Sequence, residues 1–364
     1  MQMENFAPIM FAGLVLTMLI GFPVAFSLAF LGLACGLFAI SMDWFPVSFM
    51  SNLPLNIFGI LSNDLLLAIP FFTFMGAILE KCGLAEDMLD SMGQLFGTVR
   101  GGLGYSVIIV GFILGAITGT VAGQVIAMAL ISLPVMIRYG YNMRYATGVL
   151  AASGTITQLV PPSLVLVVMA DQLGRSVGDM YKGAWGPSML QVAIFALYTF
   201  ALGLIKPEHV PGIPKEARTA DGFHLWMKCL RGIIPSAFLI FAVLGSMGGL
   251  PGINTAIATP TEAGAMGCVG ALVLAAMHKR LDKDLIWEAM HSTMRLTAMV
   301  VFILIGSRVF SMVFQGVDGA KWVEHLLTGL PGGQVGFLVV VNIFIFFLAF
   351  FLDFFEIAFI ILPM

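Results

Sequence analysis

Between Gly104 and Ser163 two long apolar runs are each interrupted where the middle of a membrane should be, and few folds accommodate that pattern. The interruptions read Gly115-Ala-Ile-Thr-Gly-Thr-Val-Ala-Gly123 and Ser153-Gly-Thr-Ile-Thr-Gln-Leu-Val-Pro-Pro-Ser163. From Gly104 to Ile137 the only strongly polar side chain is Gln124. A straight helix over that run would be about 50 Å long, against about 30 Å of hydrocarbon. Arg100 precedes the run and Arg138 and Arg144 follow it, and short basic loops tend to stay cytoplasmic. With both ends on one side, the segment enters, turns near Gly119-Thr120 and returns as a re-entrant hairpin over residues 104–137. The spacing of Gly115, Gly119 and Gly123 by four also fits a close-packing face on one continuous tilted helix. Thr118 and Thr120 favour the hairpin, because free backbone groups at membrane depth need polar partners.

The second run, residues 145–172, has the length of one crossing but carries Gly154 and then Pro161-Pro162. Each proline removes a backbone donor and pushes the preceding residue out of the helical region, so an unwound stretch is expected over Leu159 to Pro161. Helix ends that meet an unwound strand at mid-membrane are how secondary transporters build ion and substrate sites.

Composition sets the class. The chain is 59% hydrophobic and 10% charged, with a mean hydropathy of +1.01, so an all-α polytopic membrane protein is expected, set in a lipid bilayer. The apolar runs are continuous and often near the length of a span, unlike the short alternating segments of a transmembrane barrel. Seventeen basic against twenty acidic residues leave no nucleic-acid footprint. The four cysteines stand far apart and read as small buried hydrophobes, and the five histidines form no metal-spaced cluster. The N-terminus lacks a basic region and a cleavage motif, so no cleaved signal peptide is expected. There is no H-E-x-x-H and no G-x-S-x-G, so the chain is not expected to be an enzyme.

Taken in order, residues 6–41 predict two helices broken at Gly21-Phe-Pro23, and Leu65 to Leu79 a span capped by Asn63-Asp64 and kinked at Pro70. Gly83 to Arg100 has the amphipathic pattern of a helix on the membrane surface. Gly183 to Ile205 is another span. Residues 206–231 are the only sustained soluble stretch, a cytoplasmic linker by their basic excess. Thr259-Pro-Thr-Glu262 reads as a capping box. An offset of about 232 positions repeats the order of a Gly-containing helix, an amphipathic turn, a Gly-rich stretch and a long apolar run. The organisation expected is therefore a first membrane repeat over 1–205, the linker, and a second repeat over 232–364 with nothing to match the second broken helix.

With these motifs in order, the chain resembles the large membrane subunit of the TRAP (tripartite ATP-independent periplasmic) transporters. The resemblance is carried by Leu66-Leu-Ala-Ile-Pro-Phe-Phe-Thr-Phe-Met-Gly76, the glycine-rich tip, Arg138-Tyr-Gly-Tyr-Asn-Met-Arg-Tyr-Ala-Thr-Gly148, Ala152-Ser-Gly-Thr155, Leu159-Val-Pro-Pro-Ser163 and Ala258-Thr-Pro-Thr-Glu-Ala263. Phe351-Leu-Asp-Phe-Phe-Glu-Ile357 looks most like the mannitol or chloroaromatic branch. The resemblance implies an elevator-type transporter with inverted repeats in the bacterial inner membrane. It would be driven by a sodium gradient, with sodium as coupling ion and no other cofactor. It further implies two partners, a small four-helix membrane subunit and a periplasmic substrate-binding protein that delivers an organic acid. Carried over residue by residue, the first sodium site would take Gly119 and Thr120 from the tip, with Gly154, Thr157, Val160 and Pro161 from the unwound segment; Thr118 and Ser153 fall beside it on the transport path. Where the family commonly has Ser-Gly-Ser-Ser at the tip, this chain has Ile-Thr-Gly-Thr. Family members also continue past a segment like Leu362-Pro363 into a second broken helix, so the chain reads as C-terminally incomplete.

Three charged residues stand inside apolar runs, where a charge costs several kcal/mol unless it is paired or wet. Asp353 and Glu356 share a helical face and fit either the substrate or second ion path or a structural bond to a neighbouring helix. Arg308 could meet a substrate carboxylate or an intramolecular partner such as Asp353. Secondary transport of a small organic anion competes with one further reading, a non-transporting membrane scaffold or sensor, for which a broken hairpin with hydroxyls is unnecessary.

Overall fold

A computed structural model describes residues 6–96, 99–118, 121–213, 222–252, 255–328, 333–350, 352 and 354–362. All of the regular structure among the described residues is helical. Contacts divide the chain into two units, residues 1–64 with 295–364, and residues 65–294. These units are a division by packing, whereas the repeats expected from the sequence are a division by similarity.

The first unit opens with α1 (Phe6–Leu19) and α2 (Val24–Ser41), separated at Gly21-Phe-Pro23 as the sequence predicts. Gly21 takes a φ of 89° there, a conformation open to glycine at little cost. Two short helices follow, α3 (Val47–Met50) and α4 (Leu53–Leu61). The same unit holds the C-terminal portion of a 34-residue helix, Lys283–Gly316, together with the amphipathic Gly319–Thr328, the apolar Gly333–Leu348, and Phe354–Glu356 running into a π-helical turn at Ile357–Ile361. Its core is aromatic: Phe6 lies against Phe38 and Trp44, and Phe310 stacks on Phe314. Glycine sets how closely backbones approach. A Cβ on Gly306 would stand 2.3 Å from the Ala25 carbonyl oxygen, so only glycine allows that crossing.

A 3-10 turn, Asp64–Leu67, leads into the second unit's α5 (Ala68–Lys81) and then α6 (Leu84–Phe96). Pro70 is the third residue of α5, in the first turn where its missing N–H has no helical partner to lose. It therefore opens the helix, and the expected kink is replaced by a start. The expected surface role of α6 also changes: Met88, Leu89 and Met92 are buried in the protein core, and the Met92 carbonyl accepts a hydrogen bond from Ser106 at 2.8 Å. Next come α7 (Gly102–Thr118), α8 (Val121–Arg138), α9 (Met143–Thr155), a 3-10 turn at Ile156–Gln158, α10 (Leu164–Gln172), α11 (Val177–Ile205), α12 (Gly222–Ser246) and α13 (Pro260–Met277). The expected capping box at α13 is present in full: Thr259 accepts from the Glu262 N–H at 3.3 Å, and Glu262 accepts from the Thr259 N–H at 2.8 Å. Helix α12 begins inside the stretch expected to be a linker.

Among the described residues four helices are long and apolar enough to cross a membrane: α2, α11, α13 and Lys283–Gly316; the pair Val47–Leu61 with Asp64–Lys81 brings the count to five. The helical content and these spans make the chain an all-α polytopic membrane protein. Within α7 and α8 the apolar stretches Gly102–Gly115 and Gly123–Arg138 are shorter than any of these spans.

Candidate functional site

The segment predicted to fold back does so. Were Gly104 to Ile137 one continuous helix, Gly111 and Gln124 would be about 20 Å apart along its axis. Instead the Gln124 amide donates to the Gly111 carbonyl at 2.8 Å. The two ends of this hairpin agree: Gly101 N–H donates to the carbonyl of Val210, and Asn142 N–H donates to that of its neighbour His209, both at 3.0 Å. Adjacent acceptors put the ends side by side, which overturns the continuous-helix alternative. Gln124 is buried, and the Gly111 carbonyl gives its amide the acceptor that a buried donor needs.

The glycine spacing that suggested close packing has its own place. A Cβ on Gly111 would lie 3.0 Å from Ser153 Cβ, and one on Gly115 would lie 3.0 Å from Thr157 Cα. From α8, Val125 meets Gly154, where a Cβ would stand 3.3 Å from Val125 Cα. Both arms of the hairpin therefore lie directly on the broken helix, with a glycine on one side of each contact, and at Gly115 backbone meets backbone.

The broken helix itself is α9, the 3-10 turn and α10. Asn142 caps α9 by accepting from Arg144 and Tyr145 N–H groups, and Ser163 caps α10 by accepting from the Val165 N–H at 3.2 Å. Between them Leu159 to Pro162 leave the helix, with a cis bond between the prolines. Pro161 and Pro162 have no N–H, so the carbonyls four residues before them, on Thr157 and Gln158, lose their helical donors. Ser163 Oγ donates to the Gln158 carbonyl at 2.7 Å and Ser188 Oγ of α11 donates to the Leu159 carbonyl at 2.9 Å. No hydrogen bond among the described residues reaches the Thr157 or Val160 carbonyl. Thr157 Oγ1 donates to the Gly154 carbonyl and Ser153 Oγ to that of Val149, which leaves both hydroxyl oxygens with lone pairs to offer.

Ser153, Gly154, Thr157, Val160 and Pro161 are thus brought together, all buried, on one broken helix under the hairpin. Helix α7 ends at Thr118, and Gly119 and Thr120 lie outside the described residues. Arg308 and Glu356 belong to the first unit; Glu356 is buried, Arg308 is exposed and forms no ion pair with a described residue, and Asp353 lies outside the described residues. Among the described residues no cluster of His, Cys, Asp and Glu could hold a metal ion. What the broken helix presents is different in kind: neutral carbonyl and hydroxyl oxygens, the donor set a hard cation takes.

Sequence reasoning missed the support around this segment. Tyr145 Oη and Thr199 Oγ1 are 2.9 Å apart and join α9 to α11, and Tyr141 Oη accepts from the Leu103 N–H at 3.3 Å. Burial pushes the Tyr141 phenol up to about 12, against the opposing effect of that hydrogen bond. The Ser163 cap was legible as a serine directly before an apolar run. Nothing along the chain links Ser188 to Leu159.

A polytopic helical protein whose hairpin packs on a broken helix with unpaired carbonyls has the architecture of a secondary transporter. Comparison with known proteins gives the family: residues 11–364 match the model described as "Tripartite ATP-independent periplasmic transporter, DctM component", and the chain belongs to that family. It is a transporter permease and not an enzyme. It is 27% identical over 306 residues to the C4-dicarboxylate TRAP transporter large permease protein DctM of Pseudomonas aeruginosa, covering 84% of this chain and 69% of that protein. To the 2,3-diketo-L-gulonate TRAP transporter large permease protein YiaN of Escherichia coli it is 27% identical over 314 residues, 85% of this chain and 69% of that one. To the sialic acid TRAP transporter large permease protein SiaM of Vibrio cholerae it is 25% identical over 334 residues, 92% and 74% respectively.

Proposed function

We propose that the chain is the large permease of a TRAP-type secondary transporter in the bacterial inner membrane that takes up a small organic anion at the expense of a sodium gradient. The observation that carries the ion is the broken helix: two buried carbonyls without donors, on Thr157 and Val160, beside the Thr157 hydroxyl, provide oxygen ligands with no formal charge. Gly154 and Pro161 complete the segment, and Gly119 and Thr120 would close it from the hairpin tip. The anion is supported by the relatives: C4-dicarboxylates, diketogulonate and sialic acid carry carboxylates. The isethionate named for a fused relative in Oleidesulfovibrio alaskensis carries a sulfonate. The partners proposed are a small four-helix membrane subunit and a periplasmic binding protein, with movement of the hairpin and broken helix as one elevator body against the rest of the permease. Arg308, Asp353 and Glu356, with Thr118 and Ser153, are the candidates for the substrate and second ion path.

The test is uptake by proteoliposomes containing the full-length permease with its cognate partners. Accumulation that depends on an inward sodium gradient, with Thr157→Ala raising the sodium concentration needed for half-maximal uptake, supports the proposal. Uptake unchanged when choline replaces sodium would sink the coupling, and no uptake with any cognate binding protein would favour a scaffold.

A further inference from the structure

We propose that Ser188 is a positioning residue that selects which carbonyls of the broken helix remain free for the cation, an inference that rests on the ion-site reading above. Four consecutive carbonyls, from Thr157 to Val160, lie at the point where α9 and its 3-10 turn give way to the two prolines. Without helical donors all four would be equivalent as cation ligands, and such a stretch would have no fixed coordination geometry. Two serine hydroxyls remove the equivalence. Ser163 covers Gln158 from within the same segment, and Ser188 covers Leu159 from α11, across 29 positions of sequence. The carbonyls left uncovered are Thr157, inside the 3-10 turn, and Val160, just beyond it, and they flank the two that are covered.

Ser188 is fully buried, and its hydroxyl also lies 2.7 Å from the Ala184 carbonyl one turn back in α11. Sharing its single proton between the two acceptors fixes the hydroxyl in the groove between α11 and the unwound strand. A proton placed on the Leu159 carbonyl lowers the negative potential of that oxygen and holds the peptide plane from rotating towards the site. Ser188 need not touch the ion to do this. Removing the hydroxyl leaves Leu159 as a third uncovered carbonyl in competition with its neighbours, and the geometry the ion meets becomes an average over several peptide orientations.

Purified full-length permease is titrated with sodium chloride against choline chloride at constant ionic strength, and the sodium-dependent rise in melting temperature gives the half-saturating concentration. Loss of one hydrogen bond corresponds to about a three- to tenfold increase in that concentration for Ser188→Ala. Ser188→Cys keeps the branching with a larger, weaker donor and is expected to fall between wild type and the alanine variant; if Ser188→Ala fails to fold, a cysteine midpoint at or below that of wild type overturns the proposal by itself. A wild-type protein that shows no sodium titration overturns the ion-site reading, and this inference with it. A wild-type protein that titrates, beside a Ser188→Ala protein with the same midpoint, overturns the inference alone. A lower melting temperature in choline with an unshifted sodium midpoint makes Ser188 a packing residue and likewise overturns it.

Discussion

Replacing Gly115 with alanine isolates the contact between the hairpin and the broken helix. The added Cβ would stand 3.0 Å from Thr157 Cα and 3.2 Å from Thr157 N, whereas carbon atoms at ease are about 3.5–4.0 Å apart. Both neighbours are backbone atoms, so no rotamer change relieves the overlap and α7 must move off the broken segment by about half an ångström. Overpacking of this kind costs about 1–3 kcal/mol, offset by about 0.5–1 kcal/mol because alanine is a better helix residue than glycine. The net is a loss of about 1 kcal/mol. Gly148→Ala in α9 supplies the control, since nothing lies within 4 Å of the Cβ it would add; it should gain the helical term alone, about 0.5–1 kcal/mol. The difference between the two variants cancels helix propensity and leaves the overlap, about 1–3 kcal/mol. Unfolding of the purified permease by titration with a denaturing detergent, followed by circular dichroism, measures both. If Gly115→Ala is as stable as Gly148→Ala, the backbone-on-backbone contact is wrong.

Gln124→Leu removes the side-chain bond that ties α8 to the Gly111 carbonyl of α7 and should cost about 0.5–1.5 kcal/mol in the same assay, while an exposed α8 change such as Leu130→Gln should leave the Gly111 contact untouched. Tyr145→Phe and Thr199→Val, made singly and together, should show a coupling energy of about 0.5–1.5 kcal/mol across the α9–α11 bond, and additive losses would deny that bond. Tyr141 is held protonated by burial, so the stability it contributes is complete below its ordinary value of about 10 and is lost as pH rises through about 12; Tyr141→Phe should flatten that part of the unfolding profile, read by melting temperature between those limits.

Much of this architecture was legible because apolar runs and prolines act locally. The breaks at Gly21-Phe-Pro23 and Pro161-Pro162 follow from a missing N–H and a restricted φ, and both stand where the sequence put them. The hairpin was legible from length, but its choice over a continuous helix rested on two threonines, and the deciding bond came from Gln124, noticed along the chain only as the lone strongly polar side chain of the run. The glycine series served both readings: Gly115 was taken for either a hairpin or a packing face, and it lies at the packing contact of one arm of a hairpin. Pro70 and α6 were misread for a shared reason. A proline's effect depends on its distance from a helix start, and an amphipathic face does not say whether protein or lipid will cover it. Ser188 was invisible because its partner is a carbonyl, which every residue possesses.

The Gln124 bond to Gly111 bears on how the chain is made. Residues 102–138 leave the ribosome before the broken helix they will lie on, and until it arrives the concave side of the hairpin faces lipid or the insertion machinery. An amide side chain in hydrocarbon without a partner is costly. Because Gln124 finds its acceptor 13 residues upstream, within the same hairpin, that need is met before any later helix is synthesised. The bond thus lets the hairpin be inserted as a self-contained piece and wait for the broken helix.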